Sequence, residues 1–530
     1  MRLSTRLILN ASTTYARLAV SFVLGIFFTW YVVGKIGMIG LGTIGLVSAT
    51  FGLAASVELA IRQSLIRELA AAIATGERER IRKSLTAAVA LCLPTAAVAF
   101  LIAAALGGLA YIGFFNTEEE VARLPLALCV MLLCEGVHVA IRVILSPYTQ
   151  SLYAAQRVAT DNALQLLLRV LHAGSAVLVF GYWLPGEPVA TQLMGYALTR
   201  ATIQTADIFL GTLLAKMLIP GLRLSWRDFD RKEFRATVST VWHTGQVTLL
   251  MNLNVQAVTI IINLFFGLTY NGIWQVVVQL GGGIRLLAEG LMRGIEPLSA
   301  HLQHEGKQAA IKDLMLRSIR YQLLVTLPLV VGVLVFMTPI LNLWVAGRMR
   351  NDANLEMAGI EVPEAIQIIA TLSYIYLAAA VIRTSVRGVE RSLYGLGHVR
   401  AYAWFAKYAF TINLATASLL MWLIGSPLGA PLSLLITYLL YYPGVVMRAA
   451  WRCTEVSPGQ AWKGALPRPL AAAAILTALL LLVRPWLESL TLWSLLSLVL
   501  AAAAVYSRIV LALGLVADER RRLLQMVRRR

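Results

Sequence analysis

The sequence predicts an all-α, polytopic membrane protein of about 14 transmembrane helices: two pseudo-symmetric six-helix bundles plus two C-terminal helices. Three observations lead there. Of 530 residues, 58% are hydrophobic and only 14% charged, with a mean hydropathy of +0.73. A soluble domain carries roughly 25% charged residues, so a water-soluble particle could not hide this much apolar surface. Apolar runs long enough to cross a bilayer recur along the whole chain. Short motifs also repeat at equivalent places in its two halves.

The runs fall at 7–33, 38–61, 85–112, 122–145, 162–183, 190–214, 238–264, 271–295, 321–346, 366–388, 402–424, 428–449, 468–486 and 491–515. Each has about the 20 residues that a bilayer-crossing helix needs. The basic and then apolar start, Met1 to Asn10, reads as entry into the first span, because Arg17 interrupts the run and no small-residue cleavage site follows.

The repeat is visible in pairs. Glu58 and Arg62 stand four apart near the end of the second span, as Glu289 and Arg293 do near the end of the eighth. Gly76 precedes Ile81 as Gly306 precedes Ile311, and Ser151-Leu152-Tyr153 returns as Ser392-Leu393-Tyr394. Parallel repeats of this kind form transporter architectures with the substrate site between the halves. The expected organisation is a first bundle at 1–215, a linker at 216–237, a second bundle at 238–450, and two further helices with a basic tail at 451–530.

The net charge of +19 could suggest nucleic-acid binding. The basic residues instead cluster between apolar runs, on alternate loops, as the positive-inside rule requires. No nucleic-acid partner is expected, and both termini are placed on the cytoplasmic side. The opposite side receives the acidic turn Asn116–Glu120, the short turn Leu184–Pro188 and the mixed loop Gly347–Glu364. The four cysteines show no CxxC or Cys/His spacing, so free thiols are expected, with no metal and no cofactor.

Polar residues inside the spans carry the functional information, because each costs insertion free energy unless it faces a partner or a wet interior. They fall on helical stripes. The stripes are Asn10, Thr14, Arg17, Ser21 in span one; Asn162, Gln165, Arg169, His172 in span five; and Arg200, Gln204, Asp207, Gly211 in span six. Span seven gives Asn252, Gln256, Thr259, Asn263, and span eight Gln275, Gln279, Gly282, Glu289, Arg293, with Arg285 close by. Guanidinium groups offer forked donors that stay charged, which suits phosphate oxygens. Arg17, Arg169, Arg200, Arg285, Asn252 and Gln256 therefore form the candidate substrate-binding set. Glu58, Asp207, Glu289 and Arg293 are candidates for ion coupling or gating, since a carboxylate in low dielectric can carry a proton. The competing reading is internal pairing, Arg200 with Asp207 or Arg285 with Glu289. Glu135, His138 and Arg142 read as interface anchors or a gate. Gly281-Gly282-Gly283 suits a hinge or close helix packing equally.

Gly40 to Gly45 matches G-x-G-x-x-G, but it opens a membrane span and lacks the βαβ setting that dinucleotide binding needs. No P-loop, GxSxG or HExxH occurs, and no enzymatic activity is expected.

Taken together, the chain resembles the polysaccharide-export flippases, the Wzx-like O-antigen and exopolysaccharide transporters of the multidrug/oligosaccharidyl-lipid/polysaccharide (MOP) superfamily. The resemblance is carried by Lys35-Ile36-Gly37 through Gly45, by Ala60-Ile61-Arg62 through Gly76-Glu77, by Ser151 to Arg157 and by Phe229-Asp230-Arg231. Gly267 to Gly272, Glu296 to Ser299 and Leu393 to Gly397 continue it. It implies a MOP/MATE-like fold, a bacterial inner-membrane location and an undecaprenyl-pyrophosphate-linked oligosaccharide as substrate. That substrate would pass from the cytoplasmic to the periplasmic leaflet by alternating access, for O-antigen or exopolysaccharide synthesis. The implied partners are membrane lipid, a polysaccharide polymerase and a chain-length regulator. It also implies a cationic cavity at Arg17, Arg200 and Arg285. The rival functions are a cation-coupled multidrug or metabolite exporter, a lipid II-type flippase, and a membrane glycosyltransferase or polymerase using carboxylates of the Gly347–Glu364 loop.

Overall fold

The computed structural model describes residues 3–117, 123–155, 157–290, 292, 295–487, 491–515 and 519–520. For some helical residues, 53–68 and 239–248 among them, only the backbone is described. Every regular element among the described residues is helical, as the chain's apolar runs require in lipid, where each backbone group must be satisfied within its own segment.

The long elements are α1 (Leu3–Thr75), α2 (Arg78–Tyr111), α3 (Leu124–Ala154), α4 (Val158–Leu178), α5 (Val189–Leu218), α6 (Arg231–Gly290), the short α7 (Ile295–His304) and α8 (Gln308–Val335). Val362–Gly395, Arg400–Ile424, Gly429–Tyr441, Pro467–Val483 and Leu492–Ile509 follow. Eleven helices are long and apolar enough to cross a membrane among the described residues. Two of them bend in the middle. The first expected pair of spans is one element, α1, that turns at Gly37 (φ 70°), and the seventh and eighth are α6, which turns at Gly267 (φ 84°). Both angles lie in the left-handed region that favours glycine. Counting each bent helix as two spans gives thirteen. The fourteenth is α5, with 30 residues and a polar stripe at Arg200, Gln204 and Asp207 that keeps its hydropathy low.

The repeat is written in the backbone. After the bends at Gly37 and Gly267 come left-handed glycines at Gly76 (φ 70°) and Gly306 (φ 68°), each followed by a buried isoleucine, Ile81 and Ile311. The helices carrying the Ser-Leu-Tyr motifs end alike. Ala155 N–H donates to Ser151 O and Arg157 N–H to Leu152 O, while Leu396 N–H donates to Ser392 O and His398 N–H to Leu393 O. Such paired closures satisfy the last carbonyls of a helix.

The chain divides into two compact units. The first holds Met1–Val276, Asn351–Ile360 and Leu414–Ala430; the second holds Val277–Arg350, Glu361–Asn413 and Pro431–Arg530. In the first unit, the two bends pack on each other. A Cβ on Gly42 would stand 1.9 Å from Leu268 O, and one on Gly272 would stand 2.2 Å from Met38 O. Gly45 and Gly52 continue that face and admit the side chains of Gln275 and Gln256. The G-x-G-x-x-G stretch is thus a close-packing surface for a second helix. The loop at Gly347–Glu364 contributes the buried Asp352, whose Oδ2 accepts the Met38 N–H at 2.6 Å and caps the second half of α1.

In the second unit, the last two long helices dock on α8. Leu324, Val335 and Phe336 pack with Leu476, Leu480 and Tyr506, and Tyr506 donates its hydroxyl to Leu324 O at 2.9 Å. The rest of Leu492–Ile509 stays open, with Trp493 and Leu500 well exposed, as suits a lipid-facing helix. α6 runs unbroken through Gly281-Gly282-Gly283, and Gly281 lies against the ring of Tyr376, so packing and not a hinge accounts for that glycine. None of the four cysteines forms a disulfide.

Candidate functional site

The polar stripes of α1 and α4 close on each other. Arg17 donates from Nη1 to Gln165 Oε1, and Gln165 Nε2 donates to Asp161 Oδ2 at 2.8 Å. One turn away, Asn162 Nδ2 reaches Thr13 Oγ1 at 3.1 Å and Thr14 Oγ1 at 3.0 Å. The i, i+4 spacing in both helices allows this zipper, because it stacks these side chains on one face.

A second layer joins α3, α4 and α5. Arg200 pairs with Glu135 of α3 at 3.2 Å, and both side chains are about one-tenth exposed. The alternative pairing, Arg200 with Asp207, does not form. Arg169 on α4 is exposed, makes no ion pair among the described residues, and stands within electrostatic reach of Arg142 and Arg200. Asp207 interacts with Arg142 and Asp161, and its Oδ1 is buried without a hydrogen-bond partner among the described residues. His138, buried on α3, feels the charges of Arg142 and Arg200. An aromatic wall adjoins them. His172 Nε2 meets Tyr196 Oη at 2.6 Å, Phe28 stands edge-on to His172 at 5.3 Å, and Phe180 packs on Tyr196 at 5.2 Å.

Thus the first unit gathers four arginines, Arg17, Arg142, Arg169 and Arg200, around three carboxylates, Glu135, Asp161 and Asp207. Two of these carboxylates are held by named partners, and the arginines keep the surplus. Glu135, His138 and Arg142, expected from the sequence as interface anchors or a gate, stand within this cluster. Their own spacing at i, i+3 and i+7 along α3 is the signal that joins them to the other stripes.

The remaining candidates fall elsewhere. Asn252 and Gln256 are half-buried on α6, with Gln256 resting against Gly52. Two others of that stripe have structural partners: Thr259 accepts from Trp274 Nε1 at 3.1 Å, and Asn263 Nδ2 donates to Asn116 O at 2.9 Å. Arg285 belongs to the second unit and is half-buried near Tyr376, which also feels Arg383. Arg383 donates to Tyr438 Oη at 3.2 Å, and Arg387 pairs with the buried Glu390. The side chains of Glu58 and Glu289, and the whole of Arg293, lie outside the described residues.

No protein-family model matches the chain, and no curated protein matches it. Solved structures do. A lipid II flippase, MurJ, in an inward closed conformation aligns with a TM-score of 0.67 at 12% identity, covering 95% of this chain and 98% of its own. The fold is that of the MATE and MurJ transporters. An inward-facing multidrug resistance MATE transporter of the MOP superfamily aligns with a TM-score of 0.62 at 12% identity, covering 84% of this chain and 99% of its own. The MATE multidrug transporter DinF-BH, in complex with R6G, aligns with a TM-score of 0.61 at 14% identity, covering 86% of this chain and 98% of its own. At these identities the likeness concerns fold alone.

Proposed function

We propose that this chain is a bacterial inner-membrane flippase for undecaprenyl-pyrophosphate-linked oligosaccharides, serving O-antigen or exopolysaccharide synthesis by alternating access. The observation that carries the proposal is the convergence of Arg17, Arg142, Arg169 and Arg200 in the first bundle, with Arg169 exposed and free of an ion pair among the described residues. A pyrophosphate offers several anionic oxygens, and clustered guanidinium groups bind such oxygens through charge-assisted hydrogen bonds. The polar stripes of α1 and α4 supply the donors and acceptors that sugars need. Asp207 is the proposed proton carrier, with Glu58, Glu289 and Arg293 in gating. The bundles at 1–215 and 238–450, the cytoplasmic termini, and polymerase and chain-length partners complete this reading.

A lipid II-type substrate is the second reading. It shares the pyrophosphate, and the flippase alignment extends over 95% of the chain where the MATE alignments cover 84% and 86%. That difference is of the size of the two C-terminal helices. A cation-coupled drug exporter fits the basic surplus less well. Reconstituted vesicles supplied with either labelled lipid-linked sugar test the proposal. Protection of neither sugar from an external modifying enzyme would overturn it.

A further inference from the structure

A second basic feature lies at the end of the first bundle, where α5 gives way to the linker. Gly221, in the left-handed region (φ 87°), turns the chain against the side chain of Arg78 at the start of α2. Thr86 Oγ1 donates to Ser225 O at 3.2 Å, and Ser225 N–H donates back to Thr86 Oγ1 at 3.3 Å, which fixes the linker on α2. Together they form a half-open cavity of about 520 Å³ lined by Arg78, Arg82, Lys216 and Arg223, with Leu222 among its apolar walls. Its base is solid. Leu222 packs with Ile81, Leu85, Tyr148, Leu152 and Ile219, and Lys216 Nζ sits 4.9 Å over the ring of Tyr148.

The charge there is one-sided. Asp228 pairs with Arg82 at 2.9 Å, and Glu79 is taken by Lys83 at 2.8 Å. Arg78, Lys216 and Arg223 form no ion pair among the described residues. A solvated basic face would be surrounded by polar side chains. Here large apolar side chains stand open among the charges: Met217, which lines the cavity, is 72% exposed, and in the linker beyond it Trp226 is 53% exposed, with Leu224 and Phe229 also open between Arg223, Arg227 and Arg231. Exposed tryptophan and phenylalanine beside clustered cations suit the boundary between headgroups and acyl chains.

We propose that this cavity holds the phosphate of an anionic phospholipid headgroup, with Met217, Leu224, Trp226 and Phe229 lying among the first carbons of the acyl chains. Arg78, Lys216 and Arg223 neutralise the phosphate, and the positive-inside rule assigns the lipid to the cytoplasmic leaflet. The site is separate from the α3, α4 and α5 arginine cluster, so it stands or falls independently of the transported substrate.

Native mass spectrometry of the purified full chain, titrated with phosphatidylglycerol and with phosphatidylcholine of identical acyl chains, tests this. The wild type is expected to bind phosphatidylglycerol about tenfold more tightly. Replacing Lys216→Gln and Arg223→Gln together is expected to remove that preference while leaving the melting temperature and phosphatidylcholine binding unchanged. The charge-preserving pair Lys216→Arg and Arg223→Lys should retain it. Should the double glutamine variant fail to fold, Arg223→Glu alone gives the same readout. Equal binding of the two lipids by the wild type, or an undiminished preference in the folded glutamine variant, would overturn the proposal. Displacement of phosphatidylglycerol by millimolar inorganic phosphate would assign the cavity to a free anion and overturn the lipid.

Discussion

Gly42 and Gly272 occupy equivalent places, each five residues beyond a left-handed bend, and each is pressed against a backbone carbonyl beside the other's bend. A methyl group at either position would overlap backbone that cannot rotate away. Gly42→Ala or Gly272→Ala is therefore expected to destabilise the protein by about 1–3 kcal/mol, the usual range for overpacking a tight interface. Gly108→Ala is the control: it sits inside α2 with open space around its Cα, so its melting temperature should hold or rise. Thermal unfolding in detergent compares the three.

Asp352 supplies a cap from a distant segment. Its carboxylate accepts the Met38 N–H in a buried setting. Asp352→Ala is expected to cost about 1–2 kcal/mol, the upper part of the range for losing a cap, and Asp352→Asn less, because the amide oxygen still accepts. Both variants should keep transport once folded. Loss of transport in a fully folded Asp352→Asn would contradict a purely capping role for this carboxylate.

The Arg200–Glu135 pair combines structure and function. Removing one member strands the other, which for a buried pair costs about 3–5 kcal/mol. Glu135→Gln and Arg200→Gln are each expected to lower thermal stability strongly, whereas the double variant should recover much of it and remain inactive in flipping. A double variant as unstable as the singles would show that the pair does not act as a unit.

These relationships show how far the residues alone could lead. The helix count and the repeat were legible, because bilayer thickness fixes span length and the Ser-Leu-Tyr and Gly-x₄-Ile motifs mark equivalent turns. The stripes on α1 and α4 were legible for the same reason: one face per helix follows from the 3.6-residue period. The partner of Arg200 was not. Asp207 is two turns away on the same helix, about 10 Å along the axis, while Glu135 reaches it from α3. Which neighbour a helix meets is a tertiary fact that periodicity does not encode. The bends hid likewise, since Gly37 and Gly267 look like turn residues between separate spans, yet each joins two helices directly.

Arg169 is the residue on which substrate recognition should weigh most. It is exposed, shares its surroundings with Arg142 and Arg200, and makes no ion pair among the described residues. Unlike Arg200, it leaves no paired carboxylate behind when removed, so Arg169→Ala is expected to cost less stability than Arg200→Gln. Its effect belongs to transport.

The most direct measurement is therefore the flipping rate of a labelled undecaprenyl-pyrophosphate oligosaccharide in vesicles reconstituted with wild type, Arg169→Ala or Arg169→Lys. At matched protein content, Arg169→Ala is expected to lose at least tenfold in rate, equivalent to about 1.4 kcal/mol, with partial retention for Arg169→Lys. Equal rates for wild type and Arg169→Ala would contradict the proposal.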